Sequence, residues 1–177
     1  MSGALLVNDD SFGVQVCVDV ELYQHIFQQS LLGFTDLSTT LTSKTNKEKL
    51  QAICDFLENS ISYYDWVGFY FKNGNKNELK LAQFTGEETE HTIIPFGKGI
   101  CGQVAVTNEN FVVQDVSEQD NYISCGWKVK SEVVIPIFVE GENIGQIDID
   151  SHTANTFTAK DEELLEYVCK KVATILV

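Results

Sequence analysis

The chain has 177 residues and a formal net charge of −14, and all 12 of its basic residues are lysine. That length suits one domain with a full hydrophobic core, and its apolar (44%) and charged (21%) fractions are those of a globular protein. An acidic chain without one arginine argues against a nucleic-acid partner, because phosphate and base recognition rely on positive charge and the guanidinium fork.

No apolar run reaches the roughly 18 residues that a membrane span needs. The opening residues carry Asp9 and Asp10 and no basic start, so no signal peptide is expected. Five cysteines, at 17, 54, 101, 125 and 169, form an odd, scattered set. That is the pattern of reduced thiols in a cytoplasmic, reducing compartment, not of a disulfide framework. An acidic field also favours a ligand bearing an ammonium group.

Residues 1–20 show no usable pattern and are read as an N-terminal extension to a single domain at 21–177. Leu22, Ile26 and Gln29 share a helical stripe that Gly33 is expected to end. Thr45 and Glu48 have the spacing of a capping box, and Leu50, Ile53, Cys54, Leu57 and Ile61 follow at helical intervals. Cys54 therefore reads as a core thiol. From Trp66 the pattern changes to strands at 66–71 and 78–82, joined by Asn73-Gly74-Asn75. Further strands are expected at 92–95, 111–113, 132–139 and 143–150, with a short helix over 100–107. A last helix follows Thr158, with Leu165, Val168 and Val172 inward and Cys169 packed beside them. Helices covering an antiparallel sheet make an α+β fold.

The hairpin from Glu132 to Asp150 holds the most chemistry. With Glu140-Gly141-Glu142 as its loop, Val139 faces Asn143, Glu132 lies opposite Asp150, and Asp148 follows on the same face. Val133, Ile135, Ile137, Ile147 and Ile149 line the other face as core. Val134, Pro136 and Phe138 share the carboxylate face and are expected to cover it in part. Opposed like charges destabilise a sheet unless a bound ammonium or a retained proton neutralises them. A retained proton would make one carboxyl a general acid. In Gly97-Lys98-Gly99-Ile100-Cys101-Gly102, Cys101 sits in the first turn of a helix, a setting that favours thiolate and anions. Cys125 lies in a loop outside any apolar period.

These residues carry a resemblance. Trp66-Val67-Gly68-Phe69-Tyr70, the run at 97–102, Val113-Gln114-Asp115-Val116, Ile123-Ser124-Cys125, Ser131 to Pro136 and Asp148-Ile149-Asp150-Ser151 follow in order and spacing. Over residues 46–177 the chain resembles the free methionine-(R)-sulfoxide reductases, stand-alone enzymes of the GAF fold. The resemblance implies a GAF-like domain with a central antiparallel sheet flanked by helices. It implies thiol-dependent reduction of free methionine-(R)-S-oxide through a sulfenic acid and a disulfide, with thioredoxin as electron donor. Cys125 would attack, Cys101 would resolve, and Asp148 would deliver a proton near the sulfoxide oxygen. Glu132 and Asp150 would hold the ammonium, and Trp66 and Tyr70 would box the methyl-sulfur end. The N–H groups of Ile123, Ser124 and Cys125 would receive the substrate carboxylate. A homodimer is compatible with this reading, and no cofactor is expected.

One position departs from the pattern. The family usually has a third cysteine ten residues before Cys101, where this chain has His91, which reads as an exposed loop histidine. A zinc site from His91, Cys101 and Cys125 lacks paired short ligand spacing, so no metal is expected. The alternative function is a non-catalytic GAF module that binds a free amino acid or similar ligand. A purely structural dimerisation domain accounts for neither Cys125 nor the opposed carboxylates.

Overall fold

The computed structural model describes residues 28, 29, 33, 44–120 and 128–176. Helix α1 spans Asn46–Ser60, and the expected capping box opens it: Thr45 Oγ1 accepts from the Glu48 N–H, while Glu48 Oε2 accepts from the Thr45 N–H at 2.8 Å. Strands β1 (Trp66–Lys72), β2 (Glu78–Thr85) and β3 (Ile93–Pro95) follow, then α2 (Gly99–Thr107) and β4 (Phe111–Val113). After a short 3₁₀ turn at Val116–Glu118 come β5 (Ser131–Val139), β6 (Glu142–Ser151) and α3 (Ala159–Leu176). The six strands form one antiparallel sheet in the order β3-β2-β1-β6-β5-β4, which puts β1, β6 and β5 side by side at its centre.

Strand alternation sorts side chains between two faces. One face holds Val67, Phe69, Val133, Ile135, Ile137, Ile147 and Ile149, packed beneath Leu50, Ile53 and Leu57 of α1 and Leu164, Leu165, Val168 and Val172 of α3. Each such aliphatic side chain, once buried, contributes about 1.5–3 kcal/mol. Cys54 and Cys169 lie in this core as expected, and burial pushes both thiols far toward the protonated form. Asp161 ties α3 to the same core. Its carboxylate accepts from Tyr63 and Tyr64 hydroxyls at 2.8 and 3.0 Å and from the Thr158 N–H at 2.8 Å. The opposite face carries α2, whose Ile100, Cys101, Val104 and Ala105 pack on Trp66, Tyr70 and Val134.

Four expectations need correction or lie out of reach. The hairpin loop is two residues, not three: Glu140 (φ 51°) and Gly141 (φ 84°) are both left-handed, and Val139 pairs with Glu142 rather than Asn143. A turn with two positive φ values matches the twist of the flanking strands, and the irregularity after Ile137 absorbs the odd residue. Below it the expected register returns, with Ile137 opposite Gly145 and Glu132 opposite Asp150. That shift also leaves Phe138 43% exposed, so it does not cover the carboxylate face; α2 does. Gly33, expected to end the first helix, is itself helical. The stripe residues Leu22 and Ile26 and the whole of 1–20 lie outside the described residues. No described helix is long and apolar enough to cross a membrane.

Candidate active site

Three adjacent strands place a block of side chains under α2. On β6 these are Gln146, Asp148 and Asp150. On β1 their partners are Tyr70, Gly68 and Trp66, and on β5 they are Pro136, Val134 and Glu132. The carboxylates of Glu132, Asp148 and Asp150 are buried, with at most 2% of each residue exposed. Four buried side-chain atoms have no hydrogen-bond partner among the described residues: both polar atoms of Gln146, Asp148 Oδ1 and Asp150 Oδ1. Leaving such groups unmatched costs about 1–3 kcal/mol each, more when charged, so the block is built to meet something else.

Burial raises all three carboxyls. For Glu132 the neighbouring Asp148 and Asp150 add to it, and for Asp150 the charges of Asp148 and Asp65 do. Burial pushes Asp148 to about 7, against the pull of a hydrogen bond from Cys101. The Cys101 thiol, in the first turn of α2, donates to Asp148 Oδ2 at 3.1 Å. Near neutral pH the cluster therefore keeps protons that ordinary carboxyls would have lost. It offers a general acid and a cradle for a cation.

Trp66 is fixed beside these groups. Its indole N–H donates to the Glu87 carbonyl at 3.1 Å, its ring stacks on Phe84 at 5.5 Å, and Tyr70 lies 6.3 Å away. The indole lies across Gly68, where a Cβ would come within 2.1 Å of Trp66 Cη2. Only glycine leaves that space opposite Asp148. The Tyr70 hydroxyl donates to the His91 carbonyl at 2.9 Å, and the Lys128 ammonium pairs with Glu87.

Six of the expected site residues thus meet: Trp66, Tyr70, Cys101, Glu132, Asp148 and Asp150. Ile123, Ser124 and Cys125 lie outside the described residues. His91 corrects its expectation. It is half-buried and lines a narrow cleft with Ile94, Lys98, Gly99, Ile100, Cys101 and Glu132, held there by the bond from Tyr70. Sequence reasoning also missed Gln146, although its parity with Asp148 and Asp150 on one strand was a usable signal. Gly68 was missed too, because its role appears only with the Trp66 rotamer.

The profile of the GAF domain matches residues 44–177, and the chain belongs to that family. The fold is the GAF α+β fold, a six-stranded antiparallel sheet with helices on both faces. Within the family, the chain is 38% identical over 110 residues to the free methionine-R-sulfoxide reductase of Saccharomyces cerevisiae, a stretch covering 61% of each chain. It thus spans about three fifths of that relative's length. The solved type II free methionine-R-sulfoxide reductase of Thermoplasma acidophilum superposes with a TM-score of 0.71 at 34% identity, covering 79% of this chain and 94% of that one. The free methionine-R-sulfoxide reductase of Neisseria meningitidis, solved in complex with its substrate, gives 0.76 at 27% identity over 99% and 95%.

Proposed function

We propose that this chain reduces free methionine-(R)-S-oxide to methionine with thiol electrons. The observation that supports it most is the buried, unmatched carboxylate block beside an aromatic wall and a thiol. Glu132 and Asp150 face one another and take the substrate ammonium, which supplies the counter-charge they lack. Trp66 and Tyr70 pack on the methyl-sulfur end, and Asp148, protonated near neutral pH, faces the sulfoxide oxygen. Cys125 is the attacking thiol. It stands three residues from Lys128, at most ~11 Å of chain, and Lys128 pairs with the side-chain carboxylate of Glu87, the residue whose backbone carbonyl accepts from the Trp66 indole. The N–H groups of Ile123, Ser124 and Cys125 receive the substrate carboxylate.

In the first step the Cys125 thiolate attacks the sulfoxide, the substrate S–O bond breaks as its oxygen passes to the Cys125 sulfur, and Asp148 supplies the proton of the new sulfenic acid. Methionine leaves. Cys101 then displaces hydroxide from that sulfenic acid to form a disulfide, and a thioredoxin dithiol reduces it. With His91 in place of a third cysteine, Cys101 alone serves as resolving thiol in this scheme. That substitution also favours a second reading, a GAF module that binds methionine without turning it over.

The deciding assay follows NADPH oxidation with thioredoxin and thioredoxin reductase on both epimers of free methionine sulfoxide and on an N-acetylated, amidated analogue. Turnover of the free R epimer alone is expected. A blocked amine leaves the carboxylates without a counter-charge, and unmatched groups of this kind discriminate by about 10⁴-fold. In the S epimer the oxygen would point into Trp66 and Tyr70 and away from Asp148. Comparable rates on the blocked analogue would overturn the ammonium site. Methionine binding with no turnover of any substrate would establish the binding module.

A further inference from the structure

We propose that Cys101, Glu132 and Asp148 form a binding site for a soft divalent cation, zinc by preference, in the recess assigned to the substrate ammonium. One ligand atom from each of the three residues lies within 4.8 Å of the others. All three are buried, with 3% of Cys101, 2% of Glu132 and none of Asp148 exposed. Asp148 Oδ1 and Asp150 Oδ1, also buried, have no partner among the described residues, which is an independent sign that this recess awaits a charged ligand.

The donor set selects the ion. A thiolate beside carboxylates suits zinc over magnesium or calcium, which seek oxygen alone and more of it. Zinc takes sulfur at about 2.3 Å and carboxylate oxygen at about 2.0–2.2 Å in a tetrahedron, so ligand atoms end some 3.3–3.7 Å apart. Closing from the present separations needs side-chain adjustments of about 1 Å. Three protein ligands leave a fourth position for water or for Asp150, which faces Glu132 across the strands. The electrostatics point the same way, because mutual repulsion of the carboxylates disfavours the empty, ionised block and a divalent ion cancels it.

Metal and substrate ammonium then compete for Glu132, and the metal also occupies the thiol assigned to resolve the sulfenic acid. Zinc binding would hold the site in a closed, redox-silent form. The inference stands on the geometry of the cluster and does not require the sulfoxide activity.

Cobalt(II) reports it directly. Reduced, metal-free protein titrated anaerobically with cobalt should bind one equivalent, with a thiolate-to-cobalt charge-transfer band and the intense visible bands of a tetrahedral site. Zinc should erase both, magnesium should not, and free methionine should raise the cobalt concentration needed. Cys101→Ser should remove the charge-transfer band and weaken binding by at least about 100-fold, since losing even a supporting contact of a ligand costs 10–100-fold. Cys54→Ser should change nothing. Asp148→Asn, nearly isosteric, should weaken binding comparably and guards against a Cys101 variant that fails to fold. A missing thiolate band in the parent protein would overturn the proposal. So would a band that survives Cys101→Ser or yields to Cys125→Ser alone, or displacement of cobalt by magnesium at similar concentration.

Discussion

Replacing Asp148 with asparagine keeps the size of the side chain and removes its titration. In the folded protein this carboxyl is pushed from its ordinary 3.8 to about 7 by burial. Three units at 1.36 kcal/mol each make about 4 kcal/mol. Because the folded-state value is the higher one, the native protein binds more protons than the unfolded chain between about pH 4 and pH 7. Stability from this group is therefore fully present below pH 4, falls as pH rises through that window, and is lost above about 7. Asparagine abolishes the loss. Urea unfolding of the metal-free protein should show Asp148→Asn more stable than the parent by about 2–4 kcal/mol at pH 8 and equal to it near pH 3.5. Turnover of the R-sulfoxide should fall by about 10²–10⁴-fold, the usual range for a lost general acid. The alkaline limb of kcat/KM, expected near pH 7, should vanish with it. A variant less stable than the parent at pH 8, or one that keeps the parent's pH profile, would refute both the burial argument and the acid role.

Glu132→Gln or Asp150→Asn should leave the empty protein as stable or more so, since each relieves repulsion, while free methionine binds more weakly by about 1.5–3 kcal/mol; calorimetry and thermal shift read the two effects. Gly68→Ala should push the Trp66 indole off its place, since the new Cβ would lie 2.1 Å from the ring, and the change should appear in tryptophan emission together with slower turnover. After one equivalent of the R-sulfoxide without reductant, peptide mapping should find a Cys101–Cys125 disulfide, with Cys54 and Cys169 still reduced inside their core. A dominant bond involving Cys17, or none, would remove Cys101 from the resolving role.

The facing of Glu132 and Asp150 was readable in advance because strand alternation is strict and the isoleucines at 135, 137, 147 and 149 fix which face goes inward. The loop was misjudged by one residue, since Glu140-Gly141-Glu142 does not reveal that two positive φ values will shorten the turn and put an irregularity after Ile137. That error stayed local because the core face beyond it restores the register. His91 shows a different limit. Nothing in Glu90-His91-Thr92 indicates that a tyrosine 21 residues earlier will hold its backbone against the cleft. Gly68 and the Trp66 ring belong to the same class, in which a three-dimensional rotamer decides and no periodicity records it.

The contact between Cys101 and Asp148 links the two halves of the proposed cycle. In the first half the carboxyl must give a proton to the sulfoxide oxygen, and it holds one near pH 7 because it is buried. Once it has given that proton it is a carboxylate 3.1 Å from the thiol that must next become a nucleophile. Taking the Cys101 proton restores the acid and creates the thiolate in a single transfer, so the resolving thiol is activated only after the sulfoxide has been reduced. Cys54 and Cys169 donate instead to backbone carbonyls, of Gln83 and Ile135, and burial holds both thiols in the protonated form. In the proposed cycle the burial that weakens the empty fold would thus set the order of the two steps, and Asp148→Asn should slow disulfide formation from a pre-formed sulfenic acid as well as sulfoxide reduction. Rapid-quench trapping of the sulfenic acid with dimedone separates these two rates. Unchanged resolution in the variant would mean that Cys101 loses its proton to another base.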